Sequence, residues 1–358
     1  MTIGLANTFS NDRFSYGNLD SFFIGLCVAG ALLNIWSIFL PANYLSLLFL
    51  IAVSIAYWAF NPGKLKMTLN PIKSASFFKL KYLLPFSILL LFVTLYALLP
   101  PLFYDTYLYH IPALKWYEQY KAVPGLANFH SRFGFNSTSL LLSTTFSFNF
   151  IFNQPIFALN SLCILIFTTW LMKNTIDKKT ALSLISLIIL ILFFKFYSKN
   201  ISSLSTDILP NILIVYVLLR LAFSNFQLND KNLILWVIPL FCITLKLSTL
   251  AICLLCILPL YSSIKTSSYR YLTFLIITSL IVIIPWMTRN VILTGYIGYP
   301  MPSIDLFNFD WEIPMSNVIN EKNWIYSWAR IPGLHWEKVL SMPFPEWFSI
   351  WWKAKKPC

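Results

Sequence analysis

The sequence predicts an all-α fold, a polytopic bundle of about nine membrane-spanning helices with an amphipathic helix lying along the membrane in its first long outer loop. Three observations predict it. Hydrophobic residues make up 58% of the 358 and aromatic residues 18%, against roughly 45–50% apolar in a soluble domain, an excess that no soluble core absorbs. Charged residues are 11%, about half the usual share, and fall between long apolar runs such as Leu83–Leu99 and Ala181–Phe194. Those runs approach the ~20 residues that cross a bilayer as a helix, not the ~10-residue alternation of a membrane barrel. A disordered chain, a disulfide scaffold and a β-barrel are excluded, and transporter, enzyme and scaffold stay open.

In chain order, span-length segments fall at 20–40, 43–60, 83–100, 155–172, 181–197, 208–224, 232–245, 247–262 and 272–288. Residues 1–18 are polar and no small-residue cleavage pattern follows, so the first span is expected to act as an uncleaved signal anchor. Between spans two and three, Asn61–Tyr82 carries Lys64, Lys66, Lys73, Lys79 and Lys81 with no acid, which places it in the cytoplasm. The N-terminus is then cytoplasmic, loop 101–154 lies outside, Lys173–Lys179 returns inside with three lysines, and everything after Arg289 lies outside. Thr138–Phe152 is apolar enough to count as a span, but Ser139, Ser143, Thr144, Thr145, Ser147 and Asn149 suit a helix at the interface or dipping in. Leu233–Ser262 is too long for one span and short for two, with Lys246 at its centre, and reads as a broken pair of half-helices. The division expected is 1–288, transmembrane with outer loop 101–154, and 289–358, an extracytoplasmic or interfacial segment rich in Trp.

The net charge of +13 sits between spans, where orientation accounts for it, so no nucleic-acid partner is expected. Cys27, Cys163, Cys242, Cys253 and Cys256 lie in apolar segments and Cys358 is terminal; they read as small buried side chains, and no metal site is expected. Four ionisable residues arrive on the outer side. Asp105 follows span three, Asp207 opens span six, Lys246 is the tip of the broken pair and Arg289 ends span nine. Each alone has a structural reading, Asp207 as a carboxylate favoured at a helix N-terminus, Lys246 and Arg289 as snorkelling anchors. Together on one face, two acids and two cations mark a site. Around Asp105 stand Tyr109 and His110, followed by the aromatic helix Ala113–Tyr120 with Trp116. His110, five residues past the acid, orients it or shares a ligand, or else caps the helix. His130 and His335 read as surface residues.

Several stretches then carry a resemblance. Tyr104-Asp-Thr-x-x-Tyr-His-x-Pro-Ala-x-Lys-Trp116, Val123-Pro-Gly-Leu-Ala-Asn-Phe-His130 and Arg132-Phe-Gly-Phe-Asn-Ser137 are followed by Ser202-Ser-Leu-Ser-Thr-Asp-Ile-Leu-Pro210, Thr244-Leu-Lys-Leu-Ser248, Arg289-Asn290 with Gly295-Tyr-Ile-Gly-Tyr-Pro300, and Asp310-Trp311. In this order, over roughly residues 20–350, they resemble the GT-C membrane glycosyltransferases, in a bacterial branch similar in layout to protein O-mannosyltransferases and lipid A aminoarabinose transferases. The resemblance implies a bacterial inner-membrane enzyme that moves a sugar from a polyprenyl-phosphate donor to an acceptor on the extracytoplasmic face, with membrane lipid as its other partner. It makes Asp105 the catalytic acid of the first outer loop and Asp207 the second acid, which holds the site, a metal or the acceptor. It gives Lys246 the donor phosphate.

Chemistry supports these roles. A lipid phosphate leaves well unaided, so the reaction needs a base for the acceptor, Asp105, and cations for the departing charge, Lys246 and Arg289. Attack opposite the phosphate inverts the anomeric centre. A divalent cation between phosphate and acid is chemically allowed, as Asp with His offers hard ligands, although the sequence shows no dense ligand set. The superfamily usually continues past the point where this chain ends, at Trp351–Cys358, so a short or truncated member is expected. Competing readings are a lipid-linked-sugar flippase or transporter without catalysis, a polysaccharide polymerase or ligase, and a scaffold. The topology is open to test by cysteine labelling in intact cells with an impermeant reagent. Cysteines placed in 63–80 and 174–179 should stay unlabelled and those in 122–130 and 303–320 should label, and labelling of 63–80 from outside would sink the scheme.

Overall fold

Residues 17–62, 79–177, 181–223 and 232–354 are described by a computed structural model. The polar N-terminal stretch, Lys64, Lys66, Lys73, Lys178, Lys179, most of the loop before span seven and Cys358 lie outside the described residues. The described chain is helical, without strands, and forms two units, Met1–Ala122 with Ser137–Trp286 and Val123–Asn136 with Met287–Cys358.

The first unit begins with α1 (Asn18–Phe39), α2 (Tyr44–Phe60) and α3 (Leu80–Ala97). On α3 the exposed residues Leu84, Ile88, Leu91 and Leu95 recur every three or four positions, and on α8 (Ala181–Tyr197) Leu184, Ile188 and Ile191 do the same. A continuous exposed apolar stripe of this kind is what water penalises and a bilayer accepts. Among the described residues, five helices are long and apolar enough to cross a membrane: Leu19–Phe39, Leu80–Ala97, Ala181–Asn200, Leu247–Lys265 and Tyr269–Thr294. The protein is therefore a helical membrane protein. Of the other four expected spans, α2, α9 (Ile208–Phe223) and α10 (Ile234–Leu245) are apolar but shorter, at 17, 16 and 12 residues. The remaining one, α7 (Ala158–Asp177), is 20 residues long but carries Asn160, Ser161 and Thr168 on its buried side.

Between α3 and α7 come α4 (Ile111–Gln119), α5 (Thr138–Thr145) and the single turn α6 (Asn149–Phe152). All eight residues of α5 are buried, so the Thr138–Thr145 part of the segment dips into the unit, whereas Phe150, Ile151 and Phe152 of α6 are exposed. It breaks at Phe148, whose φ is +50°, and α4 packs on α5 through Leu114 and Tyr117.

The expected pair of half-helices is an unequal hairpin. After α10 the chain turns at Lys246 into a 3-10 segment, Leu247–Cys256, that runs on into α11 (Ile257–Lys265). The arms are antiparallel, since the Cys253 thiol lies 3.5 Å from the Pro239 carbonyl and the Cys256 thiol 3.8 Å from that of Trp236. A 3-10 helix rises ~2.0 Å per residue against ~1.5 Å for α. The ten 3-10 residues and nine α residues therefore reach about 33 Å, enough for a hydrocarbon core of ~30 Å. The α10 arm reaches only about 18 Å.

Hydrogen bonds sort the helix ends of this unit into two sets. At one end, Asn34 of α1 donates to Thr138 (2.9 Å), Ser137 to the Leu245 carbonyl (2.7 Å) and Asn160 to the carbonyls of Ser203 and Ser205. At the opposite ends of α1 and α9, Arg220 grips Asp20 through Nε (3.1 Å) and Nη2 (2.8 Å), and Tyr216 donates to the same carboxylate. Lys81 and Tyr82 at the start of α3 meet Asp177 at the end of α7. Lys79, Lys81, Lys173 and Lys265 thus fall at helix ends away from Lys246.

Asp20 is 1% exposed and the Arg220 side chain 25%. Breaking a fully buried pair costs about 3–5 kcal/mol because the partner's charge is stranded. Since Arg220 keeps some water, Asp20→Asn should cost on the order of 2–3 kcal/mol, read as lost thermal stability in nanodiscs. Asp20→Leu combined with Arg220→Met should recover most of the loss. A single variant as stable as wild type would remove the pair from the fold's account.

Candidate functional site

Asp105 opens the helical turn that leads into α4. Pro112 cannot donate, and its ring clashes with a carbonyl four residues back, so the turn widens to a π form over Thr106–His110 in which the Ile111 N–H reaches the Thr106 carbonyl. Asp105 stands at the first end of that turn, partly exposed, and His110 at the other, 2% exposed. The Tyr109 and His110 rings meet edge to face at 4.3 Å, and Tyr109 is buried as well. The spacing that suggested a shared ligand thus sends His110 inward. His110 makes no side-chain cap to α4. Trp116 is half-buried and packs on Tyr120.

Asp207 and Lys246 come together. Asp207 leads into α9 from a serine-rich loop, where its N–H donates to the Ser205 hydroxyl (3.3 Å) and Asn211 N–H to its carbonyl. The loop is tied down by α7, through Asn160 on Ser203 and Ser205 and Ser161 on the Ile201 carbonyl (2.9 Å). Lys246 has extended backbone, φ −157°, and ends α10 with its N–H on Cys242. Its ammonium forms an ion pair with Asp207, and each side chain is 44% exposed. A pair this open contributes about 0–1 kcal/mol to stability. It is therefore cheap to open, and an incoming anion can compete for the lysine.

Arg289 belongs to the second unit. It lies on α12 (Tyr269–Thr294), is 1% exposed and donates to the Asn136 side chain. This is an interior role. In the same unit Gly125, in the left-handed region at φ +65°, lets its N–H meet the Ile292 carbonyl (2.9 Å); a Cβ there would stand 2.8 Å from the Trp311 carbonyl. Asn128 donates to that carbonyl (2.8 Å). Ser131 donates to Glu321 of α13 (Met315–Arg330) at 2.7 Å, and Arg132 stands 3.7 Å from the same buried carboxylate. These bonds join Val123–Asn136 to the C-terminal segment around a small core of Ala127, Tyr296, Tyr299, Ile313 and Val318.

Sequence reasoning passed over Asn160, Ser137, Glu321 and the Asp20–Tyr216–Arg220 cluster. A carboxylate and an arginine inside apolar runs were the available signal for the last. Among the described residues no group of three or more His, Cys, Asp or Glu side chains is gathered to hold a metal ion.

Desolvation pushes His130 below its ordinary pKa, with Arg132 adding to the shift and Glu321 opposing it, and its Nδ1 accepts the Arg132 N–H at 3.2 Å. The folded second unit therefore binds fewer protons than the unfolded chain. Stability from this group is complete above the ordinary value, about 6.5, and is lost as pH falls through the lowered one. Unfolding of the second unit followed from pH 8 to 5 should show this loss in wild type and a flatter profile in His130→Asn, which keeps an acceptor without titrating. Identical profiles would exclude His130 as the group responsible.

The chain belongs to a family described as a domain of unknown function (DUF8201), whose family model matches residues 2–357. No curated protein and no solved structure matches the chain.

Proposed function

We propose that this member of the family is a glycosyltransferase of the GT-C type, a polytopic protein of the bacterial inner membrane with its N-terminus in the cytoplasm. It moves a sugar from a polyprenyl-phosphate donor to an acceptor on the extracytoplasmic face. One observation carries the reading: the open Lys246–Asp207 pair at the tip of a hairpin of apolar helices. A lipid-borne phosphate reaches the end of such a hairpin without leaving the membrane surface, and its charge competes with one carboxylate for the lysine.

In this reaction the acceptor oxygen forms a bond to the anomeric carbon while the bond from that carbon to the phosphate oxygen breaks. The electron pair leaves with the lipid phosphate. Lys246 meets the charge that develops there, and Asp105 takes the acceptor's proton. Asp207, released from the lysine, turns to the acceptor or sugar hydroxyls. Arg289 has its own partner in Asn136 and is left to the second unit's interior, and no step is assigned to a cation. Tyr109 and His110 support the turn that bears Asp105, and Trp116 offers a ring for the sugar or the interface.

A second reading, a transporter of lipid-linked sugar, is favoured by the buried Asp20–Tyr216–Arg220 cluster, because ionisable groups inside apolar helices are common in transport paths. The two readings separate on Asp105→Asn. For a base, this variant should lose about 10²–10⁴-fold in transfer while still binding polyprenyl phosphate, and full transfer would refute the assignment. Lys246→Met removes a charge-assisted contact worth about 1.5–3 kcal/mol, so polyprenyl-phosphate binding in nanodiscs should weaken by one to two decades. Unchanged binding would take away the main support for a donor site.

A further inference from the structure

The second unit begins at a bilayer surface. Met287–Thr294, which belong to it, are the closing turns of α12. The 26 residues of that helix reach about 39 Å at ~1.5 Å each, more than a ~30 Å hydrocarbon core. Beyond α13 come α14 (Trp336–Ser341) and α15 (Phe344–Ala354), and both pack on α13. Five of the eleven residues of α15 are aromatic, and none of residues 344–353 is buried. Pro345 sits in the first turn, where a missing N–H costs nothing.

One side of α15 is held and the other is open. Arg330 of α13 stands 5.0 Å over the Trp347 ring, and Trp347 and Trp351 are half-buried. Phe344, Phe348 and Trp352, at intervals of four, are 62%, 39% and 57% exposed. At 3.6 residues per turn these three fall within about 80° of arc, and Glu346, Ser349 and Lys353 fall within about 60° on the opposite side. A helix with Trp and Phe along one face and charge along the other is the form that lies in the headgroup–acyl boundary of a membrane.

Area, ring geometry and charge choose among occupants. At about 200 Å² for a large aromatic side chain, the exposed part of the three rings comes to roughly 320 Å². That is under half of the ~800 Å² per partner in a stable protein interface, too little for a second copy of the chain. A sugar needs an open ring face, whereas Phe344 and Phe348 stack on each other at 5.2 Å and 15°, and Phe348 and Trp352 at 6.2 Å and 26°. A bilayer sets no such minimum, because the chain already holds the helix beside it and the contact is intramolecular. The charges of α15, Glu346 and Lys353, cancel, so the helix selects no headgroup charge.

We propose that α15 lies in the headgroup–acyl boundary with Phe344, Phe348 and Trp352 inserted, and that zwitterionic phospholipid is a sufficient partner. The inference is independent of the glycosyltransferase reading, because no donor-site residue lies on α15. The probe is a nitroxide on p-acetylphenylalanine, placed at position 352 or at position 349 of the full-length protein, one copy per nanodisc of phosphatidylcholine. At 352 relaxation by molecular oxygen should exceed relaxation by a water-soluble nickel chelate at least threefold, and at 349 the order should reverse. Phe344→Glu combined with Phe348→Glu should bring the 352 label to the 349 pattern, whereas 1 M salt, at which the Debye length is ~3 Å, should change nothing. The comparison of 352 with 349 needs no further substitution and decides alone should the double variant not fold. Nickel access at 352 equal to that at 349 would place the face in water, and shielding of 352 from both reagents would place it against protein. Release of the 352 label by salt would make the contact electrostatic, and any of these three results overturns the proposal.

Discussion

Every break in a helix frees backbone carbonyls, and in an apolar surrounding each must find a donor within the protein, because an unsatisfied group costs several kcal/mol there. The first unit is arranged around that demand. Ser137 serves the Leu245 carbonyl where α10 stops, Ser161 serves Ile201, and one Asn160 amide serves both Ser203 and Ser205. The Ser37 carbonyl near the end of α1 takes the Ala122 N–H at 2.7 Å. The buried polar side chains of α5 and α7 are thus the fittings that allow loops and a hairpin tip to exist among apolar helices. The tip at Lys246 and the loop before Asp207 are two of the places so fitted, and they are where the only half-exposed ion pair described at a helix break is found.

The same two kinds of charge behave differently at the two ends of α9. At one end Asp20 is sealed, takes a two-nitrogen grip from Arg220, a bond from Tyr216 and a third from the Gly17 N–H at 2.7 Å. Every lone pair is occupied, which is what a buried carboxylate requires. At the other end Asp207 and Lys246 share one contact and keep almost half their surface. Burial turns the first into structure. Exposure keeps the second exchangeable, as the proposed contact with a lipid phosphate requires.

The sequence discloses some of this and conceals the rest for identifiable reasons. Apolar runs reveal the helices, and Lys246 in the middle of a run reveals the break, because composition alone makes a lysine there costly. Hidden are pairings that require the fold. Asp207 with Lys246 joins positions 39 apart and Tyr216 with Asp20 joins positions 196 apart, and no local period encodes either. That His110 is buried at the far end of the π turn is not legible either, since spacing is visible in a sequence and direction is not. Arg289 looked like an outer cation because it ends a hydrophobic run, yet Asn136, distant in sequence, draws it inside its own unit. Val123–Asn136 read as part of a loop because its ties to Ile292, Trp311 and Glu321 are backbone and side-chain bonds that leave no hydropathy signal.

Span length is the other place where a sequence window falls short. A window assumes one rise per residue, but Leu247–Cys256 is drawn out into 3-10 form, so a segment that looks short is long enough for the full apolar depth. Its partner α10 cannot, at about 18 Å. If the tip at Lys246 stands at one face of the hydrocarbon, α10 must begin well inside it, where its first N–H groups have no water. Asn232, 4% exposed, meets that need by accepting the Ile234 N–H at 3.0 Å. A helix start capped from within is what the unequal hairpin demands. It fixes the short arm in depth, and through the Cys253 and Cys256 contacts along the two arms it fixes the height at which Lys246 is held.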